Sequence, residues 1–206
     1  MGILEALKNE ALRISPLEWA LFITGVICVW LLVIESIWNW PAAIVNQIIA
    51  IVVFYRSSLY ADAGLQIVFI AVSVYGWWNW LYGGQNHSEV NIGHTDHRGW
   101  AAYILVTAVL TGILYAILRF TPSNVPFGDG FTTALSLTAL YMQTRKVIEN
   151  WWFWIATDIG SIVLYCYKGL FLTAILFGIY LLMCIAGLRE WQRTFRAREI
   201  EAIATA

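Results

Sequence analysis

Apolar residues in this chain neither alternate with polar ones nor recur as a narrow stripe; they run on. Seven stretches stay apolar for long enough to cross a bilayer, at about 17–35, 38–55, 61–82, 100–118, 128–144, 151–167 and 170–188. As helices, with a rise of 1.5 Å per residue, each extends ~25–33 Å, which matches a hydrocarbon core of ~30 Å. The fifth stretch is the most polar. Its Thr132, Thr133, Ser136 and Thr138 suit a helix buried among other helices, where hydroxyls bond to backbone or across an interface.

The joins between these stretches group them. Little separates the first from the second around Ser36, or the second from the third at Arg56-Ser57-Ser58, and the last three are as closely joined. The fourth stands apart, between the polar segments Gly83 to Gly99 and Phe120 to Gly128. The expected fold is an all-α integral membrane protein with a three-plus-one-plus-three arrangement. One transmembrane domain, 1–206, would hold a three-helix bundle at 17–82, a linker helix at 100–118 and a second bundle at 128–188. An offset of 112 residues aligns the two triplets, setting Tyr55-Arg56 on Tyr167-Lys168, Trp40 on Trp152, Asn46 on Asp158 and Asn79 on Trp191. Stretches four apart run the same way through the membrane, so the repeat is parallel, a plan found among transporters.

Composition agrees with the pattern. Of 206 residues, 60% are hydrophobic and 12% charged, about half the ~25% charged fraction of soluble domains. A net charge of −1 leaves no basic footprint for nucleic acid. Cys28, Cys166 and Cys184 lie far apart in apolar runs, which excludes a disulfide framework or a zinc cluster. Residues Met1 to Ser15 carry mixed charge and no small-residue cleavage site follows, so the first stretch reads as an anchor rather than a signal peptide. Five basic residues, Lys8, Arg13, Arg56, Arg119 and Lys168, fall on the amino-terminal side. Seven fall on the other: Arg98, Arg145, Lys146, Arg189, Arg193, Arg196 and Arg198. That bias places the carboxyl terminus in the cytoplasm.

Twelve tryptophans are present, and with alternating helices eleven of them gather at the carboxyl-terminal side, Trp19 alone lying opposite. An interfacial belt forms at both faces, so some of the eleven are expected to line a cavity. Asn150, Trp154 and Asp158, spaced i, i+4 and i+8, share one face of the sixth helix. An acidic group about 10 Å below a membrane face marks a functional site or a buried pair. Asn46, Gln47 and Gln66 are further candidates to line the same cavity, with Asn150 and Trp151 near its mouth; interhelical hydrogen bonding is the alternative role of the amides. Tryptophans, amides and a carboxylate together suit a flat, hydrogen-bonding ring, a cation or a sugar diol.

Other signals are weaker. His87, His94 and His97 with Asp96 read as solvated loop residues rather than a metal site. Arg145, Lys146 and Glu149 would hold their turn by ion pairing or sit among headgroups, and Asp129 would complement a helix amino terminus. Phosphate-loop, dinucleotide, nucleophile-elbow and HExxH motifs are absent. No enzymatic activity, cofactor or metal is expected.

The run Trp38-Asn39-Trp40-Pro41, the segment Tyr75-Gly76-Trp77-Trp78-Asn79-Trp80, Arg119-Phe120-Thr121 and the stretch from Arg145-Lys146-Val147 through Ile148-Glu149-Asn150-Trp151 occur in an order that resembles the bacterial PnuC nicotinamide riboside transporters. The likeness runs from about residue 16 to 192. It implies a fold related to the SWEET sugar transporters, a homotrimer in the inner membrane, and facilitated uptake of nicotinamide riboside made one-way by phosphorylation inside the cell. On that reading Trp154 stacks on the pyridine and Asp158 binds the ribose or the positive charge, while Asn46, Gln47 or Gln66 reads polar groups. Pro41 meets Phe153 at the repeat offset, so matched proline hinges are not implied. Alternatives are a carrier of thiamine, riboflavin or a hexose, and a membrane scaffold that transports nothing.

Overall fold

The computed structural model describes residues 14–121 and 125–204. Most of the amino-terminal segment read as the start of an anchor, with Lys8 and Arg13, lies outside them, as does part of the 120–128 stretch. The described residues form seven α-helices: α1 (Pro16–Val33), α2 (Asn39–Arg56), α3 (Tyr60–Tyr82), α4 (His97–Leu118), α5 (Pro126–Thr144), α6 (Asn150–Tyr167) and α7 (Phe171–Ala204). Local chemistry sets their starts. Ser15 and Glu18 form a capping box at α1, with Pro16 as the first helical residue. Asp96 accepts from the Gly99 amide to begin α4, and Pro126 opens α5.

By length and composition α1, α4 and α7 are apolar enough to cross a membrane. Helices α2, α3, α5 and α6 carry most of the buried polar groups, among them Asn39, Gln47, Ser73, Asn79, Gln143 and Asp158, and α4 adds Thr107 and Thr111. The largest departure from the expected boundaries is α7, which continues sixteen residues beyond 188 to Ala204. Hydropathy ends at the membrane, but Arg, Glu and Ala are good helix formers in water too, so the helix does not end there. At 34 residues it is about 51 Å long, well over the ~30 Å of a hydrocarbon core.

Helix α2 packs between α1 and α3, and α6 between α5 and α7. Contacts of α1 with α7 and of α3 with α5 join the two groups, and α4 lies on α5. Local geometry recurs between them at an offset of 111, not 112. Glu35 and Lys146 both adopt positive φ, 55° and 49°, in the turns before α2 and α6; Ser58 and Gly169, at 60° and 74°, do so after them. Trp40 therefore corresponds to Trp151, Trp80 to Trp191, Gly76 to Gly187, and Asp158 to Gln47 rather than to Asn46. The one-residue error arose from matching Tyr55-Arg56 to Tyr167-Lys168, which are equivalent in type but not in place: Ser57 and Lys168 cap their helices, so Arg56 corresponds to Tyr167.

Eight of the twelve tryptophans fall into two populations. Trp40, Trp80, Trp151 and Trp191 are at most 2% exposed and pack against one another, whereas Trp30, Trp38, Trp78 and Trp152 are more than half exposed, as an interfacial belt requires. The buried four form a chain of edge contacts: Trp40 to Trp80 at 5.4 Å, Trp80 to Trp191 at 6.0 Å and Trp191 to Trp151 at 5.5 Å. These four fill the core and are not among the tryptophans that could line a cavity. Gly76 and Gly187 make the room, because a Cβ at either would fall on the benzo edge of Trp40 or Trp151. Gly76→Ala and Gly187→Ala should each cost about 1–3 kcal/mol through overpacking, read as a lowered unfolding temperature in detergent. Gly178→Ala, where a Cβ meets nothing within 4 Å, is the control and should be close to neutral.

Candidate functional site

Asp158 lies eight residues into α6, about 12 Å from its start and near the middle of the helix. It is 3% exposed, and its Oδ2 accepts a hydrogen bond at 3.3 Å from the Cys184 thiol of α7. At the corresponding place in the first group, Gln47 of α2 bonds the Ser73 hydroxyl of α3 at 3.0 Å. Ser73 and Cys184 drew no attention as site residues in the sequence; aligned at 111, they fall on one another as partners of Gln47 and Asp158.

The remaining candidates are dispersed. Trp154 is half-buried, one turn from Asp158, and its Nε1 donates to Gln143 Oε1 at 3.3 Å. Gln143 in turn donates to Asn39 Oδ1 at 3.2 Å. Asn150 is fully buried and caps its own turn through the Val147 carbonyl. Its Oδ1 has no partner among the described residues because Leu32 stands where Gln143 stands for Asn39. Trp151 belongs to the packed core and not to an open mouth. Asn46 donates to the Leu21 carbonyl at 2.7 Å and to Thr24 Oγ1 at 2.8 Å, which ties α2 to α1. Gly25, beside it, allows the Tyr180 hydroxyl of α7 to reach the α1 backbone, 3.4 Å separating Asn46 Nδ2 from the position a Cβ would take. Gln66 shares a face of α3 with Ser73 and Trp80, at i, i+7 and i+14.

The tryptophan-rich end is closed by polar ties between the two groups. Trp80 Nε1 donates to the Gln143 carbonyl at 2.9 Å and Trp191 Nε1 to the Leu32 carbonyl at 3.1 Å, equivalent bonds running in opposite directions. Asn79 adds a bond to the Thr144 carbonyl at 2.8 Å. Above them, Lys146 Nζ contacts Glu35 Oε1 at 2.9 Å and lies 4.4 Å from the centre of the Trp80 ring. From the tail of α7, Arg198 reaches both oxygens of Glu35, at 3.3 and 3.2 Å. Arg145, beside this cluster, is held above its ordinary range chiefly by a hydrogen bond with Tyr75 of α3. The turn is thus held by ion pairing, as expected for one alternative, but to partners distant in sequence.

His94 is not a freely solvated loop histidine. Its Nδ1 shares a hydrogen bond with Glu149 at 2.8 Å, its ring meets Phe195 edge-on at 4.8 Å, and the Thr95 amide donates to Glu149 at 3.1 Å. Backbone bonds join Gly93 to Lys146 and Ile148, docking the 83–99 segment on the turn before α6. Asp129 sits in the first turn of α5, as its dipole favours, and binds Lys168 at 2.8 Å.

Lys146 is 5% exposed, and its ammonium is paired with Glu35. Glu35→Gln removes the counter-charge of that buried ammonium and should cost about 3–5 kcal/mol, the range for breaking a buried pair. Arg198→Gln, which leaves the Lys146–Glu35 contact in place, should cost under ~1 kcal/mol; unfolding temperatures of the two variants measure the difference.

Residues 15–193 match the family model described as nicotinamide mononucleotide transporter. The nicotinamide riboside transporter PnuC of Escherichia coli is 26% identical over 208 residues, with 88% of this chain and 87% of the relative covered. The riboflavin/roseoflavin transporter RibM of Streptomyces davaonensis is 28% identical over 162 residues, covering 76% and 75%. A crystal structure of the vitamin B3 transporter PnuC superposes with a TM-score of 0.70 at 23% identity, over 93% of this chain and 88% of that one. Seven helices with this topology and a match over nearly the whole chain establish that the protein is a membrane transporter belonging to the nicotinamide mononucleotide transporter family.

Proposed function

We propose that this protein carries nicotinamide riboside across the bacterial inner membrane as a facilitator. The observation that carries the reading is a carboxylate at the centre of α6, one turn from the Trp154 indole, in a membrane-spanning helix where a charge persists only for a reason. Nicotinamide riboside presents a cationic aromatic ring, a carboxamide and a ribose. Trp154 stacks on the ring, Asp158 serves the charge or the ribose, and Asn46, Gln47 or Gln66 reads the polar edges. Asn150 and Trp151, a turn nearer the tryptophan-rich end, are fully buried and are left out of the substrate contacts. Trp154 and Asn46 are tied to protein acceptors, so binding exchanges those bonds for bonds to substrate.

Alternating access would come from α1–α3 and α5–α7 moving as two three-helix bodies joined by α4. The separate packing within each group and the recurrence at 111 support this division. The tryptophan-rich end, with the carboxyl terminus, faces the cytoplasm on the loop-charge bias, and three copies assemble as the family resemblance implies. Riboflavin is a second reading, favoured by the likeness to RibM over three quarters of the chain.

Titration of the purified protein with nicotinamide riboside, riboflavin, thiamine and a hexose, followed by tryptophan emission and heat, separates these ligands. Nicotinamide riboside should bind at micromolar concentration, and Trp154→Ala should weaken it by at least about tenfold, the scale of one lost aromatic stack. Absence of binding would sink the reading. Uptake into sealed vesicles should proceed without a proton or sodium gradient; strict dependence on one would exclude a facilitator.

A further inference from the structure

The two buried pairs at corresponding places differ in one respect that packing does not explain. Gln47–Ser73 joins α2 to α3 with a neutral amide and a hydroxyl, each able to donate and accept. The same junction between α6 and α7 is made by Asp158 and Cys184. A carboxylate can accept about four hydrogen bonds, and a thiol is a weak donor. No lysine, arginine or histidine among the described residues pairs with Asp158, whereas Glu35, Glu149 and Asp129 all have basic partners. Since the first group holds its helices together without a charge, the charge in the second is surplus to packing. A buried carboxylate of this kind is costly until a counter-charge arrives.

We infer that Asp158 is the charge-selecting residue of the transporter, and that the missing counter-charge is delivered by the substrate, a singly cationic aromatic nucleoside. This rests on the proposed function and sharpens it: of the two roles open to Asp158, it assigns the positive charge rather than the ribose. Trp154, one helical turn away, faces the same charged ring, so stacking and ion pairing act on one group of the ligand. The discrimination is by difference, as specificity generally is: a neutral ring of the same shape leaves the carboxylate buried and unpaired.

The test compares nicotinamide riboside with its 1,4-dihydro form, which keeps the carboxamide and ribose but has a neutral ring. Affinities of the full-length protein in detergent are read by calorimetry. Wild type should prefer the cation by on the order of tenfold or more. Asp158→Asn, nearly isosteric and checked for an unchanged unfolding profile, should bring the two affinities within about twofold, and Asp158→Glu should restore the preference. If Asp158→Asn proves unstable, Gln47→Glu provides an independent reading, since a second carboxylate at the corresponding place should widen the preference for the cation. Equal wild-type affinity for both ligands, or a preference unaltered in Asp158→Asn, overturns the inference while leaving nicotinamide riboside transport standing. Binding of neither ligand by wild type overturns the transport reading, and the inference with it.

Discussion

The structure depends on a reciprocal hydrogen bond. Carbonyls in the last turn of a helix lack an intrahelical partner, and at membrane depth water is scarce to supply one. At the ends of α1 and α5 the carbonyls of Leu32 and Gln143 each receive a local turn amide and also an indole N–H from the other group, Trp191 for one and Trp80 for the other. Each group therefore completes the helix ends of its counterpart. The indoles that do this are held by further indoles, Trp40 and Trp151, which close against glycines on α3 and α7. Two of these four side chains, Trp80 and Trp191, satisfy carbonyls, whereas Trp40 and Trp151 only pack, their indole N–H groups having no partner among the described residues.

Matched and unmatched positions between the two groups then have different roles. Where the residues agree, as in the tryptophans and the glycines beneath them, they build the shared scaffold. Where they differ, they do something that a symmetric pair could not. Glu35 and Lys146 occupy equivalent turns and face each other; two like charges there would repel, and opposite ones close the interface. Leu32 and Gln143 differ, so that the side-chain Oδ1 of Asn39 is satisfied and that of Asn150 has no partner among the described residues. Gln47 and Asp158 differ, so that one side of the molecule interior is neutral and the other carries a carboxylate.

The same interactions connect the end of α7 to the core. Its apolar half packs on α6, and its polar half remains helical beyond the membrane, bringing Phe195 to His94 and Arg198 to Glu35. The 83–99 segment, polar enough to read as a solvated loop, is pinned between this tail and the turn before α6. A movement that separated the groups at this end would have to break all of these contacts together.

Much of this was legible in the sequence, because the bilayer imposes length and apolarity on each helix separately. All seven helices start within three residues of expectation, and six end within two; α7 ran on because helix propensity outlasts hydropathy. Asp158 was visible for the same reason, as a charge in an apolar run. Pairings were not visible. They depend on which residues a helix rotation brings together, and a one-residue error in the repeat turns a helix by about 100°. Matching by residue type set Asn46 against Asp158; the turn geometry of Glu35 and Lys146 gives Gln47 instead. The sequence by itself determined that the chain spans the membrane, how often, and where its buried charge lies. Tertiary structure alone decided which tryptophans are core and which are belt, and that Asp158 accepts a hydrogen bond from a thiol, because those outcomes are set by neighbours far apart along the chain.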